Sequence, residues 1–390
     1  MTGLRCLLIG VSGDTRAHLF DDALRRAGHP SAHMIDYPDW LKYDRTDRLH
    51  AMSRADCIRI ESPGRDETTL RAIREWSDET SIRHRRRAVV GDTAALLEPP
   101  FPKGCIHRPD EFVMGFRRVM QQISDDAEHG EVFLNHPDEI VIACDKPRAV
   151  SHLAAHGIRV PQPIAELSGV GAGYEAVRDA MVATGRSRVF IKLRGGSAGS
   201  GVVAYQRSST RELAISTVAM EDGPVGTVLR NSRKLCRYAT TRDIRRLLDT
   251  LCPLGVYVEA WIPKAGVCNL RADLRVVTIA GRVRHAVLRL SRHPITNLHL
   301  LNKRCGTDVL RERMQTSDWE ALIDTCEKVA ACLPRMLYLG IDLAVHTDLR
   351  GHTVFEVNAF GDLLHGVRHQ GENTYEAEVA ALASWRARHA

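Results

Sequence analysis

Three oxygen-bearing side chains in the C-terminal part of the chain are spaced to meet. In "VFEVNAF", Glu356 and Asn358 stand two apart. On a strand they share one face, with Phe355 and Val357 on the other. Asp342, in "GIDLAV", falls on the preceding apolar run and converges with them if the two runs pair. Two carboxylates and an amide oxygen suit Mg2+, which takes hard oxygen ligands and keeps waters and nucleotide phosphates beside them. The competing reading is a chance polar cluster on a solvated sheet face. Both runs are otherwise strongly apolar, and burying such carboxylates without a cation is costly. "ADLRVV" adds a second same-face pair, Asp273 and Arg275, which a surface salt bridge would explain. Arg289 and Arg292 follow, then Asn297 and His299 in "ITNLHL". Several arginines leading to one polar loop suit a clamp on an anionic substrate or on a phosphoryl group in transfer.

A second chemical feature is "FIKLRGGSAGSGVVAY". Glycines 195, 196, 199 and 201 let backbone N–H groups approach an anion closely. It is not a Walker loop, because no Gly-Lys-Ser/Thr follows and a strand comes next. His-Arg-Asp and Asp-Phe-Gly are both missing, which argues against a protein kinase. Alone, the stretch is open between a phosphate flap and a bare hairpin turn. Only eight residues are lysine, against 54 lysines and arginines together, so Lys192 just before the loop carries weight. Lys146 also falls next to a motif. Asp145 predicts a helix N-cap and Pro147 the first turn. A cation is misplaced there unless an anion binds too, or unless it is simply solvated.

The elements that must position these residues can be read in outline. "RCLLIGV" predicts a buried strand, and "TRAHLFDDALRRAGHP" an amphipathic helix stopped by Gly28 and Pro30. "ADCIRIESPG" and "RRRAVVGD" predict further parallel strands. "GVSGDT" lacks the third glycine of a dinucleotide fingerprint and reads as a strand–helix turn. "SRVFIKL" and "GVVAY" predict two strands of a hairpin, and "GVYVEAWIP" a strand entering a connector. "ADLRVVTIAGRVRHAVLRL" predicts a hairpin turning near Ala280-Gly281. "WEALIDTCEKVAACLPRM" predicts a helix, and "LGIDLAVHTDLRGHTVFEVNAF" a second hairpin turning at Asp348 to Gly351.

Composition limits the rest. A chain of 390 residues allows two or three domains and a large core. No apolar run reaches the ~18 residues that span a bilayer. The ten cysteines are scattered, without Cys-x-x-Cys, and suggest reduced thiols in a cytoplasmic protein. The net charge of +6 is spread out, so basic runs such as "IRHRRRAVV" read as solvated faces rather than a nucleic-acid surface.

The order Lys146, Lys192, glycine flap, "VEAWIPKA", "DLR", "TNLH", Asp342 and Glu356-x-Asn358 resembles the ATP-grasp superfamily over roughly residues 131–370. It is similar in pattern to ribosomal-protein glutamate ligases. "NSRKLCRY", "SRHPITNLHLLNKR" and "EVNAFGDLLHG" also resemble an uncharacterised bacterial branch found near radical-SAM genes. The resemblance implies an α/β (α+β) ATP-grasp fold with a Rossmann-like pre-ATP-grasp domain over 1–130. A central subdomain with the flap over 131–258 and a C-terminal subdomain with the Mg2+ site over 259–390 would follow. It implies that Lys146 and Lys192 contact ATP phosphates, Lys192 also lying near the adenine. The flap Arg194, Gly195, Gly196, Ser197, Gly199 and Gly201 would close over the β- and γ-phosphates. The backbone of Glu259, Ala260, Trp261 and Ile262 would meet the adenine edge. Arg275 and Arg289 would hold the γ-phosphate and an acyl phosphate, Asn297 and His299 would belong to the catalytic loop, and Asp342, Glu356 and Asn358 would carry Mg2+. Two departures matter. Lys264 stands where relatives often place a ribose-binding glutamate, and the segment after "TNLH" lacks the glutamate ligases' paired glycines.

The resulting expectation is a carboxylate–amine ligase that uses ATP and Mg2+ and forms an amide through an acyl phosphate. Its partners would be a carboxylate and an amine, as peptide or small metabolite, with no nucleic acid and no membrane. Homodimerisation is left open. A small-molecule kinase on the same fold and a non-catalytic ATP-binding scaffold are the alternatives.

Overall fold

The computed structural model describes residues 3–64, 66–78, 104–127, 131–196, 199–223, 226–296, 303–360, 364 and 366–389. Strands β1 (Cys6–Gly10), β2 (His33–Asp36) and β3 (Cys57–Ile60) form a parallel sheet in the order β2-β1-β3. All five residues of β1 are buried, as suits a parallel strand covered on both faces. The helix Thr15–Arg26 follows β1. Asp14 caps it by accepting from the Arg16 backbone N–H, and the left-handed Gly28 lies just past its end. The strand expected in "RRRAVVGD" lies outside the described residues.

The second sheet is antiparallel. It contains β4 (Pro163–Leu167), β5 (Arg188–Leu193), β6 (Val202–Arg207), β7 (Glu212–Gly223), β8 (Gly226–Tyr238) and β9 (Val256–Ala260), in the order β4-β9-β5-β6-β7-β8. Alternation along β5 divides its side chains. Val189, Ile191 and Leu193 join the core under the helices Tyr174–Ala183 and Thr241–Leu251. Phe190 and Lys192 consequently project from the opposite face.

The third sheet contains β10 (Gly266–Val267), β11 (Leu270–Ile279), β12 (Arg282–Ser291), β13 (Lys303–Cys305), β14 (Tyr338–Val345) and β15 (His352–Asn358). Its order is β13-β12-β11-β14-β15, with β10 on β11. The turn at Ala280 and Gly281 has φ of 49° and 79°, the left-handed pair a two-residue hairpin needs. Leu274, Val276, Leu288, Ile341 and Leu343 pack with the helix Thr316–Ala331 in a core that reaches the first sheet. The opposite face of β11, β12 and β14 therefore carries Asp273, Arg275, Arg289 and Asp342.

A buried ionic cluster ties the first sheet to the helix Thr374–His389. Arg59 on β3 donates to Glu61 at 2.8 Å and to Glu378 on that helix, and all three are fully buried. Its guanidinium stacks 4.2 Å from the Phe20 ring and 4.6 Å from the Tyr338 ring. No helix among the described residues is long and apolar enough to cross a membrane.

Candidate active site

The register of the third sheet builds a row of charges on one face. Asp273 lies opposite Arg289, Arg275 opposite Asp342, and Asp342 opposite Glu356. Directly opposed side chains lie closer than i, i+2 neighbours. The sequence pair Asp273 and Arg275 therefore separates. Arg275 holds Asp342 through Nε–Oδ1 at 2.5 Å and Nη2–Oδ2 at 2.9 Å. Asp273 accepts from Arg289 Nε at 2.7 Å, while Arg289 Nη2 reaches Asp342 Oδ1 at 3.0 Å. The alternative of a surface salt bridge does not hold, because the residues form a buried network: Asp273, Arg275, Arg289 and Asp342 are each at most 7 % exposed. Burial alone would raise the Asp342 carboxyl. Arg275 and Arg289 outweigh it and hold the pKa at about 2.

A second group of cations faces this row. Lys192 donates to Glu259 on β9 at 2.5 Å, both side chains buried, in line with the Phe190↔Glu259 register of β5 and β9. Burial disfavours the Lys192 ammonium, but Glu259 and then Glu356 raise its pKa above the ordinary value. Burial lifts the Glu259 carboxyl, with Lys192 pulling the other way. Glu259 was expected to act through its backbone; its side chain is the anchor of Lys192. Lys146 opens the helix Lys146–Ala155, donates to the Gly196 carbonyl at 2.5 Å, and lies 3.3 Å from Glu356. Lys146, Glu259, Phe355 and Glu356 border a pocket whose floor is Val150 and Leu153.

The base of the glycine stretch is docked on this helix. The Lys146 N–H donates to the Arg194 carbonyl at 3.3 Å, and the Arg194 guanidinium binds Asp145 rather than projecting over the pocket. Asp145 occupies the expected N-cap position but makes no capping bond, because Arg117 and Arg194 take its carboxylate. Gly199 and Gly201 both have positive φ, and the Gly199 carbonyl accepts from the Thr217 hydroxyl at 2.7 Å. A Cβ at Gly195 would strike Val113, and one at Gly196 would lie 2.7 Å from the Ser200 carbonyl. Ser197 lies outside the described residues, as do Asn297 and His299.

Two N–H groups at the end of β9 and the start of the connector after it are used within the protein. Ala260 donates to Gln162 and Trp261 to Arg188. The Trp261 ring packs against Phe190, with centroids 5.1 Å apart, and Ile262 is half-buried beside it. Lys264 turns inward, donating to Asp273 at 2.9 Å and Thr296 at 2.5 Å. Thr296 and the ring of Phe355 are site elements that sequence reasoning missed, and Asp273 pairs with Lys264 and Arg289 rather than with Arg275. Strict alternation predicts Phe355 on the core face. A bulge in β15 opposite Asp342/Leu343 resets the alternation, so Val354 and Val357 both enter the core. Phe355 then lies under two cations, 4.9 Å from Lys264 Nζ and 5.7 Å from Lys192 Nζ.

The three expected Mg2+ ligands share this face. Glu356 lies opposite Asp342, and Asn358 lies opposite Gly340, two residues before Asp342. The buried Asn358 Nδ2 has no hydrogen-bond partner among the described residues. Such an orphan costs about 1–3 kcal/mol, and half a turn of the amide presents its oxygen to the same space. The donor set fits a hard divalent cation, provided the arginines yield an oxygen of Asp342. No group of three His, Cys, Asp or Glu among the described residues is placed to hold a metal, so the amide is needed to complete the set.

No family model matches the chain, and no curated protein matches it in sequence. Solved structures do match. D-cycloserine synthetase DcsG aligns at 15% identity and TM-score 0.54, over 98% of this chain and 99% of that one. The ATP-grasp ligase PsnB, complexed with minimal precursor, Mg and ADP, aligns at 14% and 0.52 over 98% of each. D-alanine–D-alanine ligase from Bacillus anthracis, complexed with ATP, aligns at 10% and 0.53 over 100% of each. These alignments run over nearly the whole length of each chain: the chain has the ATP-grasp fold.

Proposed function

We propose that the protein is an ATP-dependent carboxylate–amine ligase. The observation that carries this reading is the buried row Arg289, Asp342 and Arg275, continued by the partly exposed Glu356, with Lys146 and Lys192 beside it and the glycine stretch docked on Lys146. Lys146 and Lys192 would bind phosphate oxygens, and the flap would exclude water. Arg275 and Arg289 would stabilise charge on the γ-phosphoryl group as it passes to a carboxylate, giving an acyl phosphate that an amine then attacks. Phosphoryl transfer asks mainly for positioning and charge stabilisation, which these cations supply. Asp342, Glu356 and Asn358 would hold Mg2+, whose role when bound is to neutralise phosphate charge. The residue set requires no nucleophilic Ser or Cys.

The acceptor is either a peptide or a small metabolite. PsnB is described with a precursor peptide and DcsG as a synthetase of a small molecule, so both classes enter the test. The experiment is ADP release across candidate acids and amines, with product masses measured. An amide with stoichiometric ADP supports the reading; a stable phosphate ester replaces it with a kinase. Glu356→Ala should abolish ADP release while leaving the far-ultraviolet circular dichroism unchanged. Unchanged turnover would remove Glu356 from the metal set.

A further inference from the structure

Lys264 occupies an unusual place. Its side chain is 9 % exposed, and its ammonium is shared between the Asp273 carboxylate, the Thr296 hydroxyl and the face of Phe355. Asp273 is fully enclosed, with its oxygens divided. Oδ1 accepts from Arg289 Nε, and Oδ2 accepts from Lys264 and from the Thr296 hydroxyl. Arg289 therefore touches two carboxylates, Asp273 through Nε and Asp342 through Nη2. Asp342 is at the same time gripped by Arg275.

Charge decides what this arrangement does. If Arg289 alone answered Asp273, its guanidinium would be neutralised by that carboxylate. Lys264 shares Asp273 with Arg289, so three cations, Lys264, Arg289 and Arg275, meet the two carboxylates of Asp273 and Asp342. The surplus positive charge is buried, where it acts on a nearby anion with little screening. We infer that Lys264 is a positioning residue: by neutralising Asp273 it leaves Arg289 charged and aimed at the γ-phosphoryl group. Lys264 does not itself touch the nucleotide, because its ammonium is already engaged on three sides. The inference rests on the ligase reading and deepens it.

The test compares the affinities of the full-length protein for ADP and AMPPNP with Mg2+, by titration calorimetry. In the wild type AMPPNP should bind more tightly than ADP. Lys264→Met should cut that preference about tenfold, the scale of losing one preorganised charge contact, while ADP affinity stays within about twofold. Lys264→Arg should keep the preference. Adding Asp273→Asn to Lys264→Met should restore part of it, because the charge needing neutralisation is gone. If Lys264→Met does not fold, Lys264→Gln carries the same expectation. Equal weakening of ADP and AMPPNP, or an unchanged preference, overturns the inference and leaves the ligase reading standing. A wild type that does not distinguish the two nucleotides also overturns the inference, whereas the ligase reading stands or falls on ADP release with amide formation.

Discussion

Replacing Arg275 with methionine removes the main grip on Asp342 and keeps the volume of the side chain. Both oxygens of Asp342 bind Arg275, and Arg289 shares only Oδ1. The Asp342 pKa of about 2 lies below the ordinary 3.8. At about 1.4 kcal/mol per pH unit the gap is worth about 2 kcal/mol. Arg289 retains part of it, so the expected loss of stability at pH 7 is about 1–2 kcal/mol. A depressed folded-state pKa contributes fully above the unfolded value and is lost as pH falls through the folded one. The wild type thus keeps only about half of this contribution at pH 3. Urea unfolding of wild type and Arg275→Met at pH 7 and pH 3 measures the difference. The gap between the two proteins should shrink at the lower pH. ADP release, measured alongside at pH 7, should fall about 10²–10³-fold, the scale of losing one transition-state charge donor. A stability gap that is the same at both pH values would refute the argument, because the loss would then not run through the Asp342 charge.

Two further outcomes follow from the same geometry. Lys192→Met leaves Glu259 buried without its partner at 2.5 Å; chemical denaturation should show a loss of about 3–5 kcal/mol. Glu259→Gln in that background should recover much of it, and a double variant no more stable than the single one would rule out the pair as the cause. Gly201→Ala places a Cβ 2.3 Å from Leu193 Cγ at a φ of +65°, so the flap root must shift. The KM for ATP should rise about tenfold with that for the carboxylate little changed, and unaltered ATP kinetics would contradict a role for the flap.

Much of this could be read from the residues, and the reasons are specific. Alternation along "VFIKL" places Lys192 on the face away from the helices, because β5 is regular and one of its faces is packed with Val189, Ile191 and Leu193. The hairpin at Ala280-Gly281 is legible because few turns accept two left-handed residues. Phe355 was misplaced because a bulge adds a residue without any local sequence mark. The partner of Asp273 was missed for a different reason. Strand spacing shows which residues share a face, but only cross-strand register shows which of them touch. The Lys192–Glu259 pair is likewise invisible in sequence, since the two residues are 67 positions and three intervening strands apart on strands that lie side by side.

The Arg59 cluster has a consequence for the order in which the molecule assembles. β3 brings a guanidinium into the first sheet, and Glu378, one of its two carboxylate partners, is more than 300 residues further along. Trp385, on the same late helix, donates to the Phe133 carbonyl at 2.9 Å. During synthesis the first sheet can form its strands early, but it cannot close over Arg59 until the helix Thr374–His389, some 300 residues downstream, leaves the ribosome. Its native packing is therefore completed late, by a segment more than 300 residues downstream. Contacts of such long sequence range slow folding, and the early part of the chain must wait with a charged, half-covered surface.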